Sequence, residues 1–177
     1  MASFGPEDVL HSIYALLHSP AYRQRYQDHL KSDFPSLPLI SSKALFAALV
    51  DLGQQLVACH CLETEGYEEP STFPHHSDHR VQAISYRPPQ DNHPGQVWIN
   101  PEQYFHGIAP ETWTFTIGGY RPAQKWLKER MGRCLFFADI DHYRRLCGTL
   151  AATSRLMATI DFTIAAHGGW PLASAQS

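Results

Sequence analysis

Apolar positions recur at helical spacing through the first third of the chain. Pro6-Glu7-Asp8 starts a helix, with proline in the first turn and two acids at the positive end of the dipole. Val9, Ile13, Tyr14 and Leu17 then share one face. Ser19-Pro20 reads as cap and first turn of a second helix with a stripe of Ala21, Tyr22, Tyr26 and Leu30. Pro35 and Pro38 break the pattern between Phe34 and Leu39. Ser41 or Ser42 caps a third helix running to about Cys61, with Leu45, Leu49, Leu52 and Leu56 inward.

Periodicity then changes. Residues 63–79 are polar, acidic and rich in breakers, which predicts a surface loop. Val81–Tyr86 and Gln96–Asn100 flank a Pro/Gly-containing connection and predict a hairpin. Thr112–Ile117 alternates strictly, with Trp113, Phe115 and Ile117 opposite three threonines, and predicts a strand. Gly118-Gly119 turns the chain into a short helix from Pro122 to Met131, ended by Gly132. Asp139 is placed to cap a last helix carrying Ile140, Tyr143, Leu146, Cys147, Leu150, Met157 and Ile160. The predicted class is α+β: N-terminal helices, a small, mostly antiparallel sheet, and C-terminal helices. The expected divisions are a helical segment over 1–62, a variable polar loop over 63–79, an α/β region over 80–167 and a flexible tail over 168–177.

A length of 177 residues and 44% hydrophobic composition describe a folded chain able to bury a core. No apolar run approaches the ~20 residues that a membrane span needs. The first residues lack the basic and apolar regions of a signal peptide, so the expected location is the cytoplasm. The four cysteines form no CxxC pair and suggest no disulfide framework.

Charge changes the picture more. Residues 1–119 hold six Lys/Arg against thirteen Asp/Glu, a balance of −7; residues 120–177 hold eight against four, a balance of +4. An anionic partner at the last third explains this asymmetry, and so does attraction between the two parts of the chain. Five of the fourteen basic residues fall within 121–133. At about 100° per residue, Arg121, Lys125 and Lys128 form one stripe, while Ala123, Trp126, Leu127 and Met131 lie opposite and are available to pack on the sheet. Arg130 and Arg133 add charge near the end. A helix anchored by Trp126 and exposing lysines suits phosphate contacts, and Tyr120, Gln124 and Arg130 are placed to reach bases or sugars. The same pattern also describes an ordinary solvated helix face.

Catalytic signatures are scarce. There is no Gly-rich phosphate loop, no GxSxG and no HExxH. Asp139 and Asp141 read as a cap and a first-turn acid more readily than as paired metal-binding carboxylates. His75, His76 and His79, with Cys59, His60 and Cys61 before them, supply zinc-type ligands, but their spacing matches no zinc pattern. No metal and no cofactor are expected.

Four stretches resemble a known family: DVLHSIYALLHSPAYRQRY, QVWINPEQYFHGI, TFTIGGYRPAQKWLKERMGR and DIDHYRRL. Together, from about Pro6 to Asp161, they are similar to the C-terminal specificity domain of type ISP restriction–modification enzymes. IGGY followed by KWLK and a GR pair is the specific combination; the first stretch is shared more widely among N6-adenine DNA methyltransferases. Such enzymes join a nuclease, a helicase-like ATPase and an adenine methyltransferase to this terminal target-recognition domain on one polypeptide. The resemblance implies that residues 80–167 recognise double-stranded DNA sequence-specifically. Carried over by motif, Tyr120, Lys125, Lys128, Arg130 and Arg133 are the candidate contacts; Arg121 and Gln124 join them from the helical spacing. An adenine methyltransferase domain or subunit is the implied partner. The alternative is a protein-interaction module docking on such a subunit, with Tyr14, Tyr22 and Tyr26 at its surface. No Asn-Pro-Pro-aromatic methyltransferase motif and no ATPase motif occur here, so this chain is expected to have no catalytic site of its own.

Overall fold

The computed structural model describes residues 4–61, 73–91 and 93–172. It confirms the α+β class, with α1 (Pro6–His18), α2 (Pro20–Arg25), α3 (His29–Ser32), α4 (Lys43–His60), β1 (Ser85–Arg87), β2 (Gln96–Trp98), β3 (Tyr104–His106), α5 (Pro110–Thr114), α6 (Pro122–Lys128) and α7 (Phe137–Ala166). The loop expected over 63–79 is described only from Phe73 onward, and residues 173–177 of the expected tail lie outside the described residues. Among the described residues no helix is long and apolar enough to cross a membrane.

The chain forms two compact units, Met1–Glu63 with Arg155–Ser177, and Thr64–Ser154. In the first unit the local start signals are used as the sequence suggests. Ser42 accepts the Leu45 N–H at 3.2 Å and begins α4. Ser19 accepts the Tyr22 N–H at 3.0 Å and begins α2. The Ser19 hydroxyl also donates to Asp161 Oδ1, while Asp161 Oδ2 accepts the Ala21 N–H at 3.0 Å. One carboxylate on α7 thus fastens the α1–α2 corner.

Leu45, Leu49, Leu52 and Leu56 face the core of this unit, with Ala15 and Leu16 of α1 and Ile160 and Ile164 of α7. The face of α1 differs from expectation: its buried residues are Ser12, Ala15 and Leu16, and Val9 is 47% exposed. The cause is close approach of two helices. A Cβ on Gly53 of α4 would lie 1.9 Å from the His11 carbonyl oxygen, so only glycine admits the α1 backbone there. Small residues of α1 therefore form the contact. Trp170 and Leu172, expected in a flexible tail, pack on this core, because two large apolar groups there find an apolar surface to cover. Tyr22 is fully buried and so is core, not interface.

In the second unit β1, β2 and β3 form an antiparallel sheet in that order, with Tyr86, Val97 and Phe105 in register. Val97 and Phe105 point to a core completed by Val81, Ile99, Leu127 of α6, and Tyr143 and Cys147 of α7. The turn between β2 and β3 is held by a buried polar network. Asn100 Oδ1 accepts the Glu102 and Gln103 N–H groups at 2.9 and 2.7 Å. Gln103 Oε1 accepts the His79 N–H at 3.0 Å, and Gln103 Nε2 donates to the His75 carbonyl at 3.0 Å. That network fixes the path of residues 75–80.

The strand expected over Thr112–Ile117 does not form. Pro110 and Glu111 instead begin α5, which takes in Thr112 and Trp113. Thr112 is buried and Trp113 stacks on Tyr86 at 5.4 Å, so both contribute packing, but from one helical turn. β3, by contrast, arises from Tyr104–His106, whose alternation spans only three residues.

Candidate nucleic-acid interface

The candidate residues begin at a tight reversal. Ile117 and Tyr120 exchange backbone hydrogen bonds at 2.9 and 3.1 Å around Gly118 and Gly119, whose φ values are +54° and +88°. Two successive positive φ angles make a type I′ turn, which glycine adopts without strain. Arg121 then occupies the N-cap position of α6 without a side-chain cap hydrogen bond, and Pro122 fills the first helical position. Ala123 and Leu127 are buried, which turns the intervening polar positions outward. The helix ends at Lys128, shorter than predicted, and Gly132 at φ +80° completes the following turn by donating to the Val81 carbonyl at 2.7 Å. Because the helix has ended, Met131 does not continue the packed stripe; it is 49% exposed. Trp126 does pack, with its ring 5.1 Å from that of Tyr143 and stacked on His142 at 5.7 Å.

Gly119, Tyr120, Arg121, Gln124, Lys125 and Lys128 line one shallow surface depression of about 350 Å³. Lys125 Nζ lies 4.7 Å from the Tyr120 ring centroid and 3.8 Å from Glu129. Gln124 donates from Nε2 to the Trp113 carbonyl at 3.2 Å, which fixes its amide. Arg121 and Lys128 have no ion-pair partner among the described residues.

Arg130 and Arg133 sit elsewhere, on a second depression of about 390 Å³ with Leu135, Phe136 and Asp139. Arg130 is engaged three ways. Its guanidinium lies 3.6 Å from the Trp126 ring centroid, Nη1 donates to the Trp126 carbonyl at 3.1 Å, and Nε is 3.6 Å from Asp139. Arg133 has no ion-pair partner among the described residues. Asp139 acts from the first turn of α7, not as the cap residue itself: its Oδ2 accepts the Phe136 N–H at 3.0 Å, the reciprocal half of a capping box. Asp141 pairs with Arg145 at 3.0 Å. Both carboxylates are thus committed to cations. Among the described residues no group of three His, Cys, Asp or Glu gathers as metal ligands.

Two surface features escaped the sequence reading. The outward side of the sheet carries Arg87, Trp98 and Tyr104, with the Arg87 guanidinium 4.0 Å from the Trp98 ring centroid and the Trp98 and Tyr104 rings 4.5 Å apart. The alternation in Gln96-Val97-Trp98 and Tyr104-Phe105-His106 was the available signal. The other feature is Phe136-Phe137, both largely exposed where α7 begins.

The family model described as Type ISP C-terminal specificity domain matches residues 1–159. The chain belongs to this family. Three solved structures resemble this specificity domain in fold. One is a nuclease-deletion mutant of the Type ISP restriction-modification enzyme LlaGI in complex with a DNA substrate mimic, 18% identical, with a TM-score of 0.62 over 92% of this chain and 14% of that chain. Another is the ATP-dependent Type ISP restriction-modification enzyme LlaBIII bound to DNA, 16% identical, with a TM-score of 0.62 over 90% of this chain and 11% of that chain. The third is a DrdV–DNA complex, 22% identical, with a TM-score of 0.60 over 97% of this chain and 18% of that chain. The specificity domain therefore spans less than one-fifth of the length of each of these proteins. No curated protein matches the chain.

Proposed function

We propose that this specificity domain recognises a short sequence in double-stranded DNA and delivers it to an adenine methyltransferase domain or subunit of a Type ISP restriction–modification enzyme. Cleavage and methylation belong to those other parts; the chain itself is non-catalytic and cytoplasmic. The observation that carries this reading is the shared face of Tyr120, Arg121, Gln124, Lys125 and Lys128. It combines Arg121 and Lys128, which have no ion-pair partner among the described residues, with an amide whose orientation is fixed and an aromatic ring, the mixture that phosphate positioning and base-edge reading require. The LlaGI, LlaBIII and DrdV structures are DNA complexes and support the same reading.

The direct test is selection from a random-sequence duplex pool with the whole chain, followed by sequencing of the bound fraction. A short enriched motif is expected. Bound DNA with no enriched motif removes sequence recognition, and no bound DNA removes the reading altogether. Co-purification with an adenine methyltransferase in that last case transfers the role to protein docking.

A further inference from the structure

The Phe136-Phe137 pair has no part in the core, yet it stands among cations. The two side chains are 75% and 85% exposed, and neither packs on the unit's hydrophobic cluster. Solvating two adjacent phenyl rings is unfavourable, and exposed apolar groups of this size mark contacts with something else. Their backbone is well fixed. Asp139 holds the Phe136 N–H, and Leu135, just before the pair, is buried with its N–H on the His79 carbonyl at 2.9 Å. The rings are therefore presented from a rigid base.

Charge identifies the occupant. Phe136 lines the depression that also holds Arg130 and Arg133. The one acid there, Asp139, is already engaged by Arg130 and by the start of α7. Arg133 remains without an ion-pair partner among the described residues. A rigid apolar point beside an available guanidinium complements a duplex, whose phosphates take the cation while a base step takes the ring. A purely apolar protein partner would leave Arg133 desolvated and unpaired, which is costly.

Resting on the DNA-recognition reading above, we infer that Phe136 and Phe137 form a wedge that inserts at a base step and distorts the duplex while Arg133 holds the adjoining phosphate. A wedge partly unstacks the step it enters and changes local twist. Binding and distortion are then separable properties of the surface, the first carried by the cations and the second by the phenyl rings.

The test uses the full chain on relaxed plasmid DNA with a type I topoisomerase present, and reads the distribution of topoisomers. Filter binding of the same plasmid reads affinity. The wild-type chain is expected to shift the linking number. F136A/F137A is expected to keep its melting temperature and the salt dependence of binding but lose the shift, and F136L/F137L, still apolar, to retain at least half of it. A shift by F136A/F137A equal to that of the wild type overturns the inference. DNA binding by the wild type with no shift also overturns it, assigns the pair to a protein contact, and leaves the DNA-recognition reading standing. No DNA binding at all overturns both together.

Discussion

The cations of the basic stretch should differ sharply in what they contribute to binding. Arg121, Lys128 and Arg133 have no ion-pair partner among the described residues, Lys125 faces Glu129 at 3.8 Å, and Arg130 is engaged by Trp126 and Asp139. Each phosphate contact contributes about 0.9 to the slope of log affinity against log salt. Replacing Arg121, Lys128 and Arg133 together by alanine should lower that slope by about 2.7, provided each meets one phosphate. Over a fourfold rise in salt, from roughly 50 to 200 mM, the variant's affinity then changes about 40-fold less than the wild type's. Arg130→Ala should act mainly on the fold. It removes a cation–π contact and a half-buried ion pair, worth roughly 1 kcal/mol together, and a chain of this size loses about 2–4 °C in Tm per kcal/mol. Fluorescence anisotropy of a labelled mixed-sequence duplex across a salt series gives the slopes, and thermal melts give Tm. The reasoning is refuted by a folded triple variant with the wild-type slope. It is equally refuted by an Arg130→Ala protein that loses as much slope as the triple variant at unchanged Tm.

Two further perturbations test the first unit, which holds α1 and α4. Gly53→Ala gains about 1 kcal/mol of helix propensity but forces a methyl group to within 1.9 Å of the His11 carbonyl oxygen, an overpacking cost of about 3 kcal/mol or more. A Tm lowered by a few degrees is expected, and an unchanged Tm means that α1 and α4 separate freely. Burial, with a further contribution from nearby Arg23, holds the His18 imidazole below its ordinary pKa of 6.5. On acidification the unfolded chain takes up that proton first, so the stability is whole above pH 6.5 and falls as pH drops through the lowered folded value. Melting curves from about pH 7.5 to 5.5 should therefore be flatter for His18→Gln than for the wild type. Parallel curves exclude His18 as the source.

The parts of the fold legible in the sequence were those specified by local chemistry. Ser19 and Ser42 begin helices through hydrogen bonds to residues three positions on, and the leucines of α4 declare their face by spacing alone. The misreadings share a cause: the deciding contact came from elsewhere in the chain. Thr112–Ile117 has a strand's alternation, but Pro110-Glu111 starts a helical turn and Tyr86 accepts Trp113 upon it. On α1, Val9 belongs to the apolar stripe, yet the missing side chain at Gly53 selects Ser12 and Ala15 for the contact. The candidate site behaved similarly. Helical spacing grouped Arg121, Lys125 and Lys128, which do share a surface, but the engagement of Arg130 by Asp139 needed the turn after α6. Sorting available cations from engaged ones therefore required coordinates.

Asp161 has a consequence for anyone moving specificity between enzymes. The family match stops at residue 159, but the carboxylate that fastens the α1–α2 corner, and the Ile160, Ile164 and Leu172 side chains that finish the first core, all lie past that point. Sequence similarity thus marks a shorter segment than the one that folds. A graft cut where the similarity ends would carry the basic surface and leave the core of the first unit open. The exchangeable module extends at least through Leu172.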